Sequence, residues 1–165
     1  VAQERIEHLA EHDPLTGLAN RAMLRAALDA LADDPAGGVL IRIDMDHLRA
    51  VNDRHGQALG DAVLREAARR LREAVRPSDL VARVGGDEFA VLCFGAGCED
   101  ATTLGERLRQ ALRLPYRQHG ASLELTASLG MACAPQHGRE PEALLRAANL
   151  ATLEAKAAGR DTLRA

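Results

Sequence analysis

The sequence predicts an α+β sandwich of the ferredoxin-like type, βαββαβ, with helices packed on a central antiparallel sheet. The order of the predicted elements supports this, since a first helix is followed by strand, helix, two strands, helix, strand and helix. The two consecutive strands, residues 80–84 and 89–94, flank the pair Gly85-Gly86. A glycine pair between apolar strands indicates a β-hairpin, because glycine tolerates the positive φ of tight turns.

The chain has the length of one domain with a substantial core. Its 165 residues should bury roughly 70% of the surface that the unfolded chain exposes. Hydrophobic residues make up 47% and aromatic residues 2%, so the core must consist of alanine, leucine and valine. The scarcity of rings argues against a platform that stacks single-stranded nucleic acid. A net charge of −3 and a pI near 6.1 argue against general binding to nucleic acid or anionic membranes.

No apolar run has the length of a membrane span and no signal peptide opens the chain, so we expect a cytoplasmic domain without membrane contact. The cysteines Cys93, Cys98 and Cys133 are odd in number and lack the spacing of a zinc site. Cys93 and Cys133 lie in apolar, strand-like runs, and we expect both to be buried thiols. The six histidines form no ligand motif, so any metal ion would be held by oxygen.

The N-terminal stretch, residues 1–12, carries Ile6 and Leu9 among charged residues. We interpret it as the end of a connecting helix from an upstream domain; a disordered terminus is the alternative. Residues 13–165 form the predicted folded domain, which opens with a turn-rich run ending at Asn20, a favourable helix N-cap. The helix that follows has one apolar face, made of Leu24, Ala27, Leu28 and Leu31.

The first predicted strand, residues 39–45, has a charged residue near its end. A buried strand that ends in Asp44 is costly unless the carboxylate has a partner. We expect Asp44 to meet Asp87 and Glu88 from the neighbouring hairpin, because a group of carboxylate oxygens suits Mg²⁺. Asp46 is expected to turn outward as an ordinary cap.

Residues 47–61 are predicted to form a glycine-punctuated loop, followed by an amphipathic helix over 62–76 that ends before Pro77. The arginines of this helix are expected to form a solvated face, with Glu66 and Arg70 as an i,i+4 pair. In the loop, an amide at Asn52 and a carboxylate at Asp61 could together bind a guanine edge. Alternatively, Asp61 is a helix N-terminal acid favoured by the helix dipole.

After the hairpin we predict a helix over 101–114, a loop over 115–120 and a strand over 122–133. The last helix, residues 141–158, ends before Gly159 as a C-cap. Lys156 and Arg160 are four residues apart, so both cations could project from the same side.

Taken together, these segments resemble the GGDEF family of bacterial diguanylate cyclases. Residues 85–89 read Gly-Gly-Asp-Glu-Phe, and residues 13–21 match the family's DxLTGLxNR opening at every fixed position. Residues 48–61 are similar to its FKxxNDxxGHxxGD segment, with departures at Leu48, Arg49 and Gln57. Residues 128–130 resemble its SxG strand, and residues 155–160 its AKxxGR ending, although Leu153 replaces the usual tyrosine.

The resemblance implies a fold like that of nucleotide cyclases and polymerase palms. It implies an enzyme that joins two GTP molecules into cyclic di-GMP with release of pyrophosphate, each domain of a homodimer binding one GTP. Two Mg²⁺ ions per active site, or Mn²⁺, would be held by Asp44, Asp87, Glu88 and the Met45 carbonyl. Asp87 is then the candidate for accepting the proton of the attacking hydroxyl.

The chain has no GxxxxGK motif, so a nucleotide would depend on metal and on separate cations. Arg49 stands where the family lysine steadies developing charge, and arginine keeps that charge while changing the reach. The residues that the resemblance assigns to GTP are Leu48, Asn52, Asp61, Gly85, Gly86, Lys156 and Arg160.

Arg76 and Asp79 form an RxxD motif that begins nine positions before Gly85. This is where many family members bind their own product, and Arg107 matches a position that supplies another cation. The motif also occurs by chance, as a helix-ending arginine and a turn aspartate.

Two other functions remain open at this point. One is a catalytically silent domain that binds GTP or cyclic di-GMP as a regulatory module. The other is a different nucleotide cyclase or palm-type enzyme. In either case the resemblance implies an upstream sensor domain in the parent chain.

Overall fold

A computed structural model describes residues 10–165. The helices with complete bounds are α1 (Arg21–Ala32), α2 (Leu48–His55), α3 (Gln57–Ala74), α4 (Cys98–Arg113) and α5 (Pro141–Ala157). The strands are β1 (Gly38–Met45), β2 (Leu80–Arg83), β3 (Glu88–Phe94), β4 (Tyr116–Gln118), β5 (Ala121–Leu123), β6 (Ala127–Ala134) and β7 (Leu163–Arg164).

The central sheet has the strand order β2-β3-β1-β6-β7, and β4 and β5 form a separate hairpin. Every neighbouring pair in the central sheet is antiparallel except β6 and β7, which are parallel. The predicted α+β class with an antiparallel sheet is therefore confirmed. The short edge strand β7 was not predicted, because two residues are too few to show a periodic pattern.

The two faces of the sheet pack against different helices. Along β1, Val39, Ile41 and Ile43 join one core cluster with α3 and α4, whereas Leu40 joins a second cluster with α1 and α5. Successive side chains of a strand alternate between faces. The α1/α5 face of β1 therefore continues from Leu40 through Arg42 to Asp44.

The α1 prediction is confirmed. Asn20 is the N-cap, and its side-chain oxygen accepts a hydrogen bond from the Met23 backbone N–H. Leu24, Leu28 and Leu31 are buried, as the apolar spacing predicts.

The expected loop at residues 47–61 is wrong, because α2 and the first turns of α3 occupy it. Gly56, with φ of 91°, separates the two helices. Leu48, Val51 and Leu59 are buried, but Gly56 between the two helices interrupts their helical period and masked it. The expected single strand at 122–133 is also wrong. His119 and Gly120, both with positive φ, form the turn of the β4–β5 hairpin, and β6 begins only at Ala127.

The prediction for Cys133 needs correction, because Cys133 forms a disulfide with Cys98, with the two Cα atoms 5.8 Å apart. Helix α4 begins at Cys98, three residues earlier than predicted, which places this cysteine against β6. Cys93 is the buried free thiol that we expected, and burial raises its pKa to about 12.

The interpretation of residues 1–12 as a connecting helix falls largely outside the described residues; Ala10 and Glu11 are helical. Among residues 10–165, no helix is both long and apolar enough to cross a bilayer.

Candidate active site at the end of the central strand

The end of β1 brings two carboxylates face to face. Asp44 and Glu88 are direct partners in the β1–β3 register. Asp44 is 3% exposed, and a buried charge requires compensation. Lys156 supplies part of it, since its Nζ lies 2.6 Å from Asp44 Oδ2. The predicted meeting of the strand-end acid with the hairpin acid is therefore found for Glu88.

Arg42 supplies the rest of the compensation and was missed by sequence reasoning. Its Nε lies 3.2 Å from Asp44 Oδ1, and its Nη2 lies 3.0 Å from Glu88 Oε1. Its Nη1 donates to Asn149 Oδ1 on α5. The signal was an arginine two residues before Asp44, which alternation places on the same face of the strand.

Of the three carboxylates expected to converge, Asp44 and Glu88 meet in this structure, and the role of Asp87 at the site stays a prediction. Within residues 10–165, no group of three or more His, Cys, Asp or Glu side chains is placed to hold a metal ion. Asp87 precedes β3 and contributes its backbone oxygen, which accepts a hydrogen bond of 3.0 Å from the Met45 N–H. Its half-buried side chain makes no hydrogen bond or ion pair with any described residue.

The turn between β2 and β3 is the predicted hairpin, but the reason given for its glycines is wrong. Neither Gly85 nor Gly86 has a positive φ. Space is what they provide: a Cβ on Gly85 would lie 3.0 Å from Glu88 Oε2, and the space around Gly86 is open to 4 Å. The glycines thus leave the face of the turn clear beside Glu88.

Asp46 does not turn outward, which corrects that expectation. It is 3% exposed and accepts hydrogen bonds from the hydroxyls of Thr126 and Ser128 at 2.6 and 2.7 Å. The Asp161 backbone N–H also donates to it, at 3.3 Å. Asp46 therefore fixes the segment after α5 against the start of β6.

Lys156 and Arg160 do not share a helix face, because α5 ends at Ala157 and Arg160 has φ of 64°. Arg160 Nε instead lies 3.9 Å from Asp46 Oδ1. The two cations nevertheless reach the same strand end, each beside a different carboxylate. Arg49 lies in the first turn of α2, which follows that end of β1. Its side chain is exposed and has no partner among the described residues.

The proposed base-binding residues lie on α2 and α3. Asn52 Oδ1 is buried and has no hydrogen-bond partner within the described residues. Gly60 lies against it, since a Cβ there would be 1.6 Å from Asn52 Oδ1. A buried acceptor without a partner costs free energy, which a ligand's donor would recover. Asp61 is half-buried in the second turn of α3, so the alternative of a first-turn acid is wrong.

Leu48 is 2% exposed and packs in the core. Its side chain is therefore covered by the core, and its assignment to GTP binding stays a prediction.

Arg76 and Asp79 form an ion pair of 2.9 Å. The hydrogen bond from the guanidinium to the Asp79 carboxylate raises the pKa of Arg76. Asp79 also accepts from the Arg76 backbone N–H. Arg107 donates to the Ala74 carbonyl at 2.6 Å. All three residues line a cavity of about 260 Å³ between the end of α3, β3 and α4. The structure thus brings the three predicted residues together, away from the strand end.

The family comparison agrees with this geometry. The profile described as "Diguanylate cyclase, GGDEF domain" matches residues 10–162. The chain belongs to the GGDEF domain family. An uncharacterized signaling protein of Caulobacter vibrioides is 42% identical over 99% of this chain and 21% of its own length. The diguanylate cyclase TpbB of Pseudomonas aeruginosa PAO1 is 40% identical over 96% of this chain and 38% of its own.

Solved GGDEF structures have the same fold. The isolated GGDEF domain of P. aeruginosa TpbB superposes with a TM-score of 0.89 at 38% identity, covering 93% of this chain and 92% of that one. The coiled coil and GGDEF domain of DgcB from Caulobacter crescentus, in complex with c-di-GMP, gives a TM-score of 0.89 at 26% identity over 99% and 89% of the chains. This GGDEF chain spans about one fifth of the length of the first curated relatives.

Proposed function

We propose that this GGDEF domain is a diguanylate cyclase that condenses two GTP molecules into cyclic di-GMP and pyrophosphate. The observation that carries the proposal is the pairing of Asp44 and Glu88 across β1 and β3, next to a glycine turn that leaves space beside Glu88. The cyclases among its relatives support the same activity.

The donor set at the strand end fits a divalent metal ion. Mg²⁺ keeps several waters and is bound through one or two carboxylates plus substrate phosphates. Asp44, Glu88 and the Met45 carbonyl would hold Mg²⁺ or Mn²⁺, with Asp87 able to join when its side chain turns inward; two ions per site remain part of the proposal. The bound metal would neutralise phosphate charge and polarise the attacking oxygen.

Side chains of the chain itself would position the triphosphate. Lys156 and Arg160 would exchange their present carboxylate partners for phosphate oxygens, which they can reach from the end of α5. Arg49, which has no partner within residues 10–165, would face developing charge with a bidentate fork. Asp87, whose carboxylate forms no ion pair within that part of the chain, would accept the proton of the 3′-hydroxyl.

Asn52 and Asp61 would select guanine. The Asp61 carboxylate only accepts hydrogen bonds, and guanine offers N1–H and N2–H₂ donors that adenine lacks. The unpartnered Asn52 Oδ1 supports this assignment. An equal mixture of GTP and ATP should therefore give cyclic di-GMP and no mixed dinucleotide.

The reaction requires two copies of the domain, because the hydroxyl of one bound GTP attacks the α-phosphate of the other. We therefore propose a homodimer as the working species, controlled by an upstream sensor domain. The Arg76–Asp79 cavity, with Arg107, would bind the product and restrain the two domains with their sites apart. Arginine suits that ligand because it forks onto phosphates and stacks on guanine.

A silent, nucleotide-binding domain is the second candidate. It is favoured by one observation: both acids at the strand end are already neutralised by Arg42 and Lys156.

Chromatography of the purified chain incubated with GTP and Mg²⁺ separates the two candidates. We expect cyclic di-GMP from the parent and loss of it in Glu88→Gln, which keeps the size of the side chain and removes its charge. GTP binding without product in the parent would assign the silent function.

A further inference from the structure

Arg42 lies where two metal-binding acids would otherwise repel each other. Asp44 and Glu88 are opposite one another on adjacent strands, and like charges in such a pair destabilise a sheet. Both side chains are on the α1/α5 face of the sheet, as is Arg42. The guanidinium of Arg42 contacts both acids and is therefore their counter-ion.

The position of Arg42 is itself held by the fold. Its Cα is in the central strand, its side chain is three-quarters buried, and Asn149 on α5 accepts a hydrogen bond from its third nitrogen, Nη1. Arginine keeps its charge at all physiological pH values. The positive charge beside the two acids is thus permanent, whatever ligand is present.

We infer that Arg42 is a positioning residue that makes divalent-metal binding depend on the nucleotide; this rests on the proposed function. Arg42 and Lys156 together balance the charges of Asp44 and Glu88, so this pair of acids attracts a cation only weakly when no nucleotide is bound. A nucleoside triphosphate adds negative charge and draws Lys156 toward its phosphates. The metal ion and the nucleotide therefore enter together.

The expected size follows from simple electrostatics. A unit charge about 5 Å from a divalent ion in a solvent-like dielectric changes the binding constant by about tenfold or more. Removing the charge of Arg42 should therefore strengthen metal binding in the absence of nucleotide, whereas loss of a merely structural residue would weaken it.

Titration of the nucleotide-free chain with Mn²⁺, followed by electron paramagnetic resonance, tests this inference. Arg42→Gln should bind Mn²⁺ at least about tenfold more tightly than the parent. Arg42→Lys keeps the charge and should behave like the parent. The matched control is Arg146→Gln. Arg146 is exposed on α5, lines with Arg42 a cleft between α1, α5 and the sheet, and makes no ion pair with a described residue. This variant should leave Mn²⁺ binding unchanged.

Equal or weaker Mn²⁺ binding by Arg42→Gln would overturn the inference. If that variant does not fold, tighter Mn²⁺ binding by the charge-keeping Arg42→Lys would overturn it instead. A second measurement is thermal unfolding: in chelator Arg42→Gln should melt below the parent, and Mg²⁺ should raise its Tm by more than it raises the parent's. Failure of the proposed function is seen separately, as no cyclic di-GMP from the parent.

Discussion

At the scale of single residues, the side chain of Asn52 leaves room only for glycine at position 60. This glycine lies within α3, where alanine normally stabilises a helix relative to glycine by roughly 0.5–1 kcal/mol. Here a Cβ would overlap Asn52 Oδ1 at 1.6 Å. Helix propensity thus favours alanine at position 60, whereas the position of the Asn52 amide requires glycine. The presence of glycine indicates that room for the amide is the more important requirement.

Gly60→Ala should therefore separate stability from binding. We expect a thermal midpoint close to that of the parent, because the gain in helix propensity offsets the displacement of Asn52. Affinity for a non-hydrolysable GTP analogue should fall by about tenfold, the value of one lost hydrogen bond to a buried group. Isothermal titration calorimetry measures it.

The control is Gly97→Ala, at an open N-cap position with φ of −89° and no neighbour within 4 Å of an added Cβ. This variant should bind the analogue like the parent. Unchanged affinity in Gly60→Ala would remove Asn52 from the nucleotide site.

At the scale of elements, the turn that precedes α1 contacts the β2–β3 hairpin and stabilises it. Asp13 accepts hydrogen bonds from the backbone N–H and hydroxyl of Thr16 and from Arg83. Burial raises the pKa of Asp13, but these hydrogen bonds and the Arg83 charge outweigh it and hold the pKa below its usual value. Arg83 also donates to the Gly86 carbonyl at 2.9 Å. The DxLTG segment, which as a sequence indicates only a helix entry, thus anchors the glycine turn.

We predict product feedback at the Arg76–Asp79 cavity, which lies between the end of α3 and α4. Arg76→Ala removes the cation that would bind a phosphate and leaves the Asp79 side chain, only 1% exposed, with the Arg76 backbone N–H but without the guanidinium. In progress curves with added cyclic di-GMP, we expect the parent to slow at micromolar product and Arg76→Ala to be slowed much less. The comparison is the ratio of rates with and without product for each protein.

Arg72→Ala is the matched control for that experiment, because Arg72 is an exposed arginine about one turn earlier on α3. It should keep the sensitivity of the parent. If the parent itself shows no slowing, the Arg76–Asp79 cavity has no regulatory role in this protein.

At the scale of the whole molecule, the Cys98–Cys133 disulfide joins two distant parts of the chain. It connects the start of α4 to β6 across a sequence separation of 35 residues. Its presence contrasts with the expected cytoplasmic location, since the cytosol keeps most thiols reduced. The location stays a prediction, and the disulfide makes stability sensitive to reductant.

Reduction of the disulfide should lower the free energy of unfolding by about 3–4 kcal/mol, the loop-entropy value for a loop of this length. Urea unfolding of the parent with and without a dithiol reductant measures the loss. Cys98→Ser should unfold at the midpoint of the reduced parent and should not respond to reductant. An unchanged midpoint for the reduced parent would show that the disulfide does not contribute to the stability of the folded domain.

The sequence by itself determined the layered fold, the order of the main helices and strands, and the family. Alternating apolar residues in β1 and the 3.6-residue period in α1 are local patterns, so neighbouring residues are sufficient to recognise them. The GGDE turn and the acid at the end of β1 were likewise visible, and with them the place of the candidate site.

Only the tertiary structure decided how the charges at that place are paired. Asp44 opposes Glu88 because of the β1–β3 register, Arg42 lies between them, and Asp46 turns inward toward Thr126 and Ser128. The Cys98–Cys133 bond likewise depends on α4 lying against β6. Apart from the pair Arg42 and Asp44, which are two residues apart on one strand, these contacts join residues that are distant in sequence. Their partners are set by strand order and helix packing, which the pattern of any one segment does not contain.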